Sequence, residues 1–266
     1  ALSLGEGSAS AVALAFTLML MPQRTIAQSA GIASLPTLSA QAELGQLDAL
    51  RKTLSGIIRV ILLLAIPSTI GLILIRYPLV RVLYERGAFT SHSTDLVSWA
   101  LLWYSAGLVG HSLVEVLSRA FYALHDTKTP VSVGVIAMAI NILLSFGLAS
   151  LFERVGWLPL GGLALANSLA TALESVALLI ILRRRLQGLE GRRILQAAGV
   201  GLLGSALMGA MVWGWLRWTT PFHPVIALAG GLVLGLVAYA VVVWLAKVPE
   251  VFALVSRLKR RLQRKG

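Results

Sequence analysis

The sequence predicts an all-α polytopic membrane protein that crosses the bilayer about seven times. Of its 266 residues, 57% are hydrophobic and 13% are charged, and the mean hydropathy is +0.83. A soluble domain of this length carries about 25% charged residues, which it needs to cover its surface. The apolar residues also form runs close to the roughly 20 residues that cross a hydrocarbon core. Both observations indicate that lipid surrounds most of the chain.

Seven apolar segments are long enough to cross a bilayer. The first contains Pro22 and Pro36, and a proline inside a helix is expected to kink or break it. A short interfacial helix, PLVRVLYERG at 78–87, is expected after the second segment. The predicted spans are about 9–40, 53–76, 94–124, 129–152, 159–184, 194–217 and 223–246, so residues 1–247 form one transmembrane lobe.

The basic residues are distributed unequally between the two predicted sides of the membrane. Most of the 23 Lys and Arg residues lie in the loops after spans one, three, five and seven and in the C-terminal tail. An excess of Lys and Arg marks cytoplasmic loops, which places the C-terminus in the cytoplasm. Residues 248–266 are basic and amphipathic, and we expect this tail to bind anionic membrane lipids. The net charge of +12 is therefore interpreted as membrane topology and not as nucleic-acid binding.

No motif typical of an enzyme is present in the sequence. There is no Cys, the four His residues lack metal-ligand spacing, and no GxGxxG, Walker or GxSxG motif occurs. We therefore predict a protein without catalytic residues, metal or organic cofactor. The chain begins at Ala1 with ALSLGEGS, which is typical of a loop after an earlier span, and we expect a fragment of a longer protein.

One short charged turn, RAFYALHDTKTPV (119–131), interrupts the apolar pattern between the third and fourth spans. Asp126 is placed to cap the fourth helix by accepting backbone N–H bonds, and Pro130 suits its first turn. Capping does not account for the Thr127, Lys128 and Thr129 run.

This turn resembles a motif of the MurJ/MviN family, the lipid II flippases of bacterial peptidoglycan synthesis, which share a superfamily with MATE exporters. The similarity rests first on FYALHDTKTPV (121–131). Three further stretches are similar to that family: LMLMPQRTIAQSAGIASLPTLSAQ (18–41), LYERGAFT (83–90) and GLALANSL (162–169).

The resemblance implies a fourteen-helix transporter of two similar lobes, of which this chain would be the C-terminal lobe. The lobes of that family would rock around a central cavity and move a polyprenyl-linked sugar pyrophosphate across the bacterial inner membrane. The implied partners are the lipid-linked substrate, membrane lipids and the missing N-terminal lobe.

Arg24 is the predicted contact for the headgroup, because an ionisable residue within a span is costly and is a functional candidate by default. Its guanidinium could bind a pyrophosphate by bidentate hydrogen bonds. Alternatively, it could bond to carbonyls freed by Pro22. Many family members carry an Asp-Arg pair where this chain has Phe16 and Thr17, and Arg24 could supply that cation from about two turns along the helix.

The third span carries a charged stripe of His111, Glu115 and Arg119 at i, i+4 and i+8. Glu115 and Arg119 are placed to form an ion pair, which lowers the cost of burying either charge. Two interpretations are open. The stripe is a gate between the lobes or a proton-sensitive pair, because His titrates near neutrality, or it is a self-satisfied pair with Arg119 at the interface.

Two neighbouring spans each present a stripe of polar oxygens. They suggest a site for a small coupling ion, sodium or proton, and some members of the similar family are thought to use sodium on corresponding helices. The alternative is hydrogen bonding between helices. The residues are Asn141 and Ser145 on the fourth span and Asn167, Thr171 and Glu174 on the fifth.

The last two spans are rich in glycine, which permits close approach of backbones. The resemblance implies a groove there for the lipid tail, and plain tight packing is the alternative. The glycines are Gly199, Gly201, Gly204, Gly209, Gly230, Gly231 and Gly235.

Lipid II flipping is the predicted function, and three alternatives stay open. The first is a flippase for another polyprenyl-linked glycan. The second is a MATE-type drug or cation antiporter, for which a carboxylate-centred cavity is expected instead of Arg24. The third is a non-transporting half-lobe scaffold, because half a transporter cannot alternate access alone.

Overall fold

The computed structural model describes residues 7–219 and 223–246, and this part of the chain is built from nine α-helices and one π-turn. The predicted tail at 248–266 lies outside the described residues. The elements are α1 (Ser8–Gln23), the π-turn (Arg24–Gln28), α2 (Ser29–Glu43), α3 (Leu47–Tyr84), α4 (Ser91–Ala106), α5 (Leu108–Ala123), α6 (Lys128–Arg154), α7 (Pro159–Arg185), α8 (Gly191–Trp218) and α9 (Pro224–Leu245).

Six helical segments of the described chain are long and apolar enough to cross a membrane. The pair α4 and α5, bent by 49° at a short break, makes a seventh span if it is counted as one. The all-α, polytopic fold predicted from the sequence is thereby confirmed.

The first span continues through both of its prolines. Helices α1 and α2 and the π-turn form one segment, Ser8–Glu43, of 36 residues. Because Pro22 has no N–H, it cannot donate to the carbonyl one turn earlier. The π-turn begins two residues later, at Arg24. A single-turn π-bulge inside an α-helix is frequently found at a functional site, and this one contains the predicted headgroup contact.

Helix α3 is longer than predicted, and the prediction of a separate interfacial helix at 78–87 was wrong. The helix runs unbroken for 38 residues through Pro67 and Pro78. Its last turns continue because Leu79 and Val80 pack in a core shared with α1 and α4. The turn beyond the helix is held by Glu85, which accepts a hydrogen bond from Thr94 Oγ1 at 2.7 Å and pairs with Arg81 at 3.3 Å.

The third predicted span, 94–124, is divided at Gly107, which the sequence prediction missed. The N–H of Gly107 bonds to Tyr104 at 2.9 Å, so the carbonyl of Trp103 loses its usual helical donor. Ser168 of α7 replaces that donor, with its hydroxyl 2.7 Å from the Trp103 oxygen. A Cβ at Gly107 would lie 2.7 Å from Ser168 Oγ. Helix α7 therefore supports the bend directly.

Two larger cores and two smaller clusters, the latter between α3, α8 and α9, hold the described helices together. One larger core joins α1, α3, α4 and the start of α7, and the other joins α2, α3, α5 and the end of α7. Helices α8 and α9 pack beside α3, while α6 packs chiefly on α7. The largest buried side chains of the second core include Leu54, Ile58, Leu117 and Phe121.

Candidate functional site

The segment α1–π-turn–α2 presents a mixed, largely polar face. Its exposed side chains include only two large apolar residues, Met21 and Ile32. Helix α6, by contrast, exposes Val135, Leu143 and Phe146, as expected of a lipid-facing helix. The first face is therefore suited to water and the second to lipid. Exposed polar residues of the first face are Thr17, Arg24, Thr25, Gln28, Ser29 and Thr37.

Arg24 lies exposed on this face at the first residue of the π-turn. Within residues 7–219 and 223–246, no side chain pairs with its guanidinium. The threonines on either side are occupied, because Thr17 donates to the Ala13 carbonyl at 2.9 Å and Thr25 to the Met21 carbonyl at 3.0 Å. Among the described residues Arg24 donates no side-chain hydrogen bond, including to the Leu18 carbonyl that Pro22 leaves without its helical donor, so its donors are available to an anion.

An apolar groove of about 630 Å³ has Leu18, Met21 and Pro22 of α1 in its wall. Helices α3, α8 and α9 supply the rest of its wall. The first span thus carries both an exposed guanidinium, at Arg24, and part of an apolar groove wall, at Met21 and Pro22, a combination that suits an amphiphile with an anionic head. The glycine-rich spans α8 and α9 contribute wall residues that include Met208, Val212, Gly231, Gly235 and Tyr239.

The predicted glycines divide between groove and packing. Gly231 and Gly235 line the groove. Gly201, Gly204 and Gly209 are packing positions, where an added Cβ would lie 3.1 to 3.2 Å from a side chain of α3 or α9. Gly230 is also a packing position, because an added Cβ would lie 2.2 Å from the Trp215 ring. Gly199 is neither, because nothing lies within 4 Å of an added Cβ there.

The charged stripe of the third span is divided in two. Arg119 Nε lies 3.0 Å from Glu115 Oε1, so the predicted i, i+4 ion pair is present. Arg119 also lies across Gly31 of α2, where a Cβ would come within 2.6 Å of its Cδ. His111 does not join this pair. Its Nε2 lies 3.0 Å from Asn167 Oδ1 on α7 and 3.4 Å from Thr171 Oγ1.

The five residues of the predicted cation site make three separate arrangements. Ser145 donates to Asn141 at 3.4 Å within α6. Asn167 and Thr171 are both engaged with His111. Glu174 lies against Gly134 of α6, with Oε1 3.4 Å from the position of an added Cβ. The described residues contain no group of three or more His, Asp or Glu that could hold a metal ion.

The charged turn is built around Asp126. As predicted, its carboxylate accepts the backbone N–H of Thr129 at 3.0 Å, and it also accepts the Thr129 hydroxyl at 2.7 Å. These two bonds hold the pKa of the Asp126 carboxyl below its usual value. The Arg185 guanidinium at the end of α7, which pairs with the same carboxylate, lowers this pKa further but by less. Thr129 is thereby explained. Thr127 and Lys128 are exposed, and Pro130 is buried in the first turn of α6.

Sequence reasoning missed a second long-range ion pair, which joins α3 to the α7–α8 connection. Arg59 lies 3.5 Å from Glu190, and the backbone N–H of Glu190 donates to Ser55 Oγ at 3.3 Å. Arg193 also bonds to Glu190 at 2.9 Å. Local spacing carries no signal for such a pair, because its members are more than 100 residues apart.

These features define a polytopic α-helical membrane protein with an exposed arginine on a polar face and an apolar groove between its helices. The family model described as lipid II flippase MurJ matches residues 1–228. The chain belongs to this family, and the resemblance stated from the sequence is confirmed.

Relatives and a solved structure agree with this assignment. The chain is 32% identical over 220 residues to a probable lipid II flippase MurJ of Vibrio cholerae, covering 79% of this chain and 40% of that protein. It is 31% identical over 254 residues to the lipid II flippase MurJ of Burkholderia cenocepacia, covering 91% and 47%. A solved lipid II flippase MurJ in an inward closed conformation matches with a TM-score of 0.73 and 25% identity, covering 90% and 47%. The chain thus spans less than half the length of these relatives.

Proposed function

We propose that this chain is the C-terminal lobe of a lipid II flippase of the bacterial inner membrane. The observation that carries the proposal is Arg24, which is exposed on a polar face without a partner among the described residues and follows, by two positions, Pro22 of the apolar groove wall. The family and the names of its relatives support the same activity. The reaction is transport across the bilayer, with no covalent step.

In this mechanism the two parts of the substrate occupy two parts of the site. The guanidinium of Arg24 binds the pyrophosphate by charge-assisted hydrogen bonds. The groove between α1, α3, α8 and α9 accepts part of the polyprenyl tail, because its wall is apolar. A second lobe, supplied by the rest of the transporter, completes the cavity and rocks against this one around a fixed midplane site.

The charged residues of the predicted cytoplasmic side keep the lobe rigid while it rocks. Arg119, held by Glu115, lies across Gly31 and so braces α5 against α2. The Asp126–Arg185 pair holds the turn between α5 and α6 against α7. With these groups on the cytoplasmic side, the C-terminus is cytoplasmic and the tail contacts anionic lipid.

Complementation tests the proposed function. The natural full-length protein is expressed in bacteria depleted of their own lipid II flippase, as wild type, Arg24→Ala and Arg154→Ala. Arg154 is the matched control, because it is an exposed arginine at the far end of α6. We expect wild type and Arg154→Ala to restore growth and Arg24→Ala to fail at equal membrane abundance. Failure of an abundant wild type would instead indicate another lipid-linked glycan or a drug substrate.

A further inference from the structure

Glu174 is an isolated carboxylate inside a membrane-spanning helix. It is the only charged residue of the sequence between positions 159 and 182, and α6, which packs against it, has none between Lys128 and Glu153. The side chain is partly buried. Among the described residues, none donates a hydrogen bond to it and none forms an ion pair with it.

The α6–α7 contact provides a place for this carboxylate. Its Oε1 lies 3.4 Å from where a Cβ of residue 134 would be, so the missing side chain of Gly134 leaves room for the acid. These two helices form the most extensive contact of the fold. Because a lone ionised carboxylate in a low-dielectric contact is costly, such a group takes up a proton unless a cation compensates it.

Neighbouring titratable and charged groups do not supply that compensation. From α5, His111 reaches α7, but its Nε2 is engaged with Asn167 and Thr171, and Glu115 and Arg119 pair with each other. Helix α1, Ser8–Gln23, carries no charged residue. The charged or titratable groups on the remaining packed elements are in the first or last turns of their helices: His92, Asp95 and Tyr104 on α4, Lys128, Glu153 and Arg154 on α6, and Arg183, Arg184 and Arg185 on α7 itself.

A metal cation is disfavoured for the same reason. A hard cation requires several oxygen ligands together. The oxygens of Asn167 and Thr171 point to His111, and that of Asn141 accepts from Ser145. Within the described part of the chain, the other side-chain oxygens of the predicted cation site are thus engaged away from the Glu174 carboxylate. A proton needs no such set.

We propose that Glu174 is a proton-binding site, and that a proton, instead of sodium, is the small cation this lobe takes up. The carboxyl is neutral while α6 and α7 pack as they do here. It releases its proton when a change in that contact admits water. The link to transport rests on the proposed flippase function, whereas the protonation itself does not.

Infrared difference spectroscopy tests the protonation. The natural full-length protein in lipid is compared with Glu174→Gln and with Glu153→Gln, whose carboxylate is exposed at the end of α6. We expect the C=O stretching band of a protonated carboxyl at neutral pH in wild type and in Glu153→Gln, and its loss in Glu174→Gln. The band should be the same in sodium and potassium buffers. Absence of the band in wild type, or its loss on adding sodium, would overturn the proposal.

A transport measurement separates this proposal from the proposed function. Glu174→Gln fixes the neutral form of the side chain, so flipping by this variant should lose its dependence on a pH gradient. A wild type that shows the band but does not flip lipid II would contradict the flippase function alone. A Glu174→Gln variant with an unchanged gradient dependence would contradict the coupling role of Glu174.

Discussion

The carboxylate of Asp126 forms an ion pair with the guanidinium of Arg185, 59 positions further along the chain. Asp126 lies in the turn before α6 and Arg185 is the last residue of α7, so the pair joins the predicted cytoplasmic ends of three helices. The same carboxylate holds the first turn of α6 through Thr129. One side chain thus links helix capping to the packing of the lobe.

We predict that Asp126→Ala lowers the free energy of unfolding by about 1–2 kcal/mol, the usual effect of losing a helix cap. The pKa of this carboxyl is lowered in the folded state. Its contribution is therefore fully present above the unfolded value of about 3.9 and is lost as pH falls through the folded value. Thermal unfolding across acid pH, in detergent, measures the difference between wild type and variant.

Asp48→Ala is the control for this prediction. Asp48 also pairs with an arginine, but its side chain is 85% exposed, and exposed ion pairs contribute little. Equal effects of the two substitutions, or a difference from wild type that persists at the lowest pH, would show that Asp126 does not act through its charge.

The contact between Arg119 and Gly31 predicts a destabilising Gly31→Ala substitution. The new Cβ would lie 2.6 Å from Arg119 Cδ, so the guanidinium must leave its position next to Glu115. Without that contact, replacing a glycine within a helix by alanine stabilises by roughly 0.5–1 kcal/mol. Gly147→Ala in α6 is the control, because nothing lies within 4 Å of its added Cβ.

A double variant identifies the cause of that effect. In an Arg119→Ala background the Gly31→Ala substitution should no longer destabilise, because the colliding side chain is gone. Melting temperatures of the four proteins in detergent supply the comparison. An undiminished loss in the double variant would mean that Gly31 is required for another reason.

We predict that substitutions of Tyr239 in α9 and Pro67 in α3 have coupled effects on stability. The hydroxyl of Tyr239 donates to the Leu63 carbonyl, and this carbonyl lacks its helical donor because Pro67 has no N–H. Tyr239→Phe should therefore destabilise by about 1 kcal/mol. In a Pro67→Ala background, where the N–H is restored, the same change should have a smaller effect. A double-mutant cycle measures this coupling, and simple additivity would contradict it.

Local features of the fold were predictable from local sequence, and features set by distant contacts were not. Apolar runs indicated each span, and i, i+4 spacing indicated the Glu115–Arg119 pair. The bend at Gly107 was missed because a glycine is tolerated in helices, and the donor that stabilises this bend, Ser168, lies 65 positions from Trp103. The length of α3 was missed because Pro78 suggested a new helix, while packing against α4 continues the old one.

The candidate site shows the same division. Capping by Asp126 was predictable from its place before a helix, whereas the place of Arg24 inside a span made it a candidate only, and its role as headgroup contact stays a prediction. The partner of His111 could not be predicted from spacing, since Asn167 reaches it from another helix. Hydrogen bonding between α5 and α7 then removes two residues from the predicted cation site. Only the tertiary contact distinguishes a free oxygen from an engaged one.

Binding of lipid II to the purified full-length protein tests the central claim most directly. Arg24→Ala should weaken the affinity by about 10- to 100-fold, because a hydrogen bond to a charged group contributes about 1.5–3 kcal/mol. Arg154→Ala should bind as wild type does. An unchanged affinity of a folded Arg24→Ala variant would contradict the account, and the headgroup contact would then have to be sought elsewhere in the transporter.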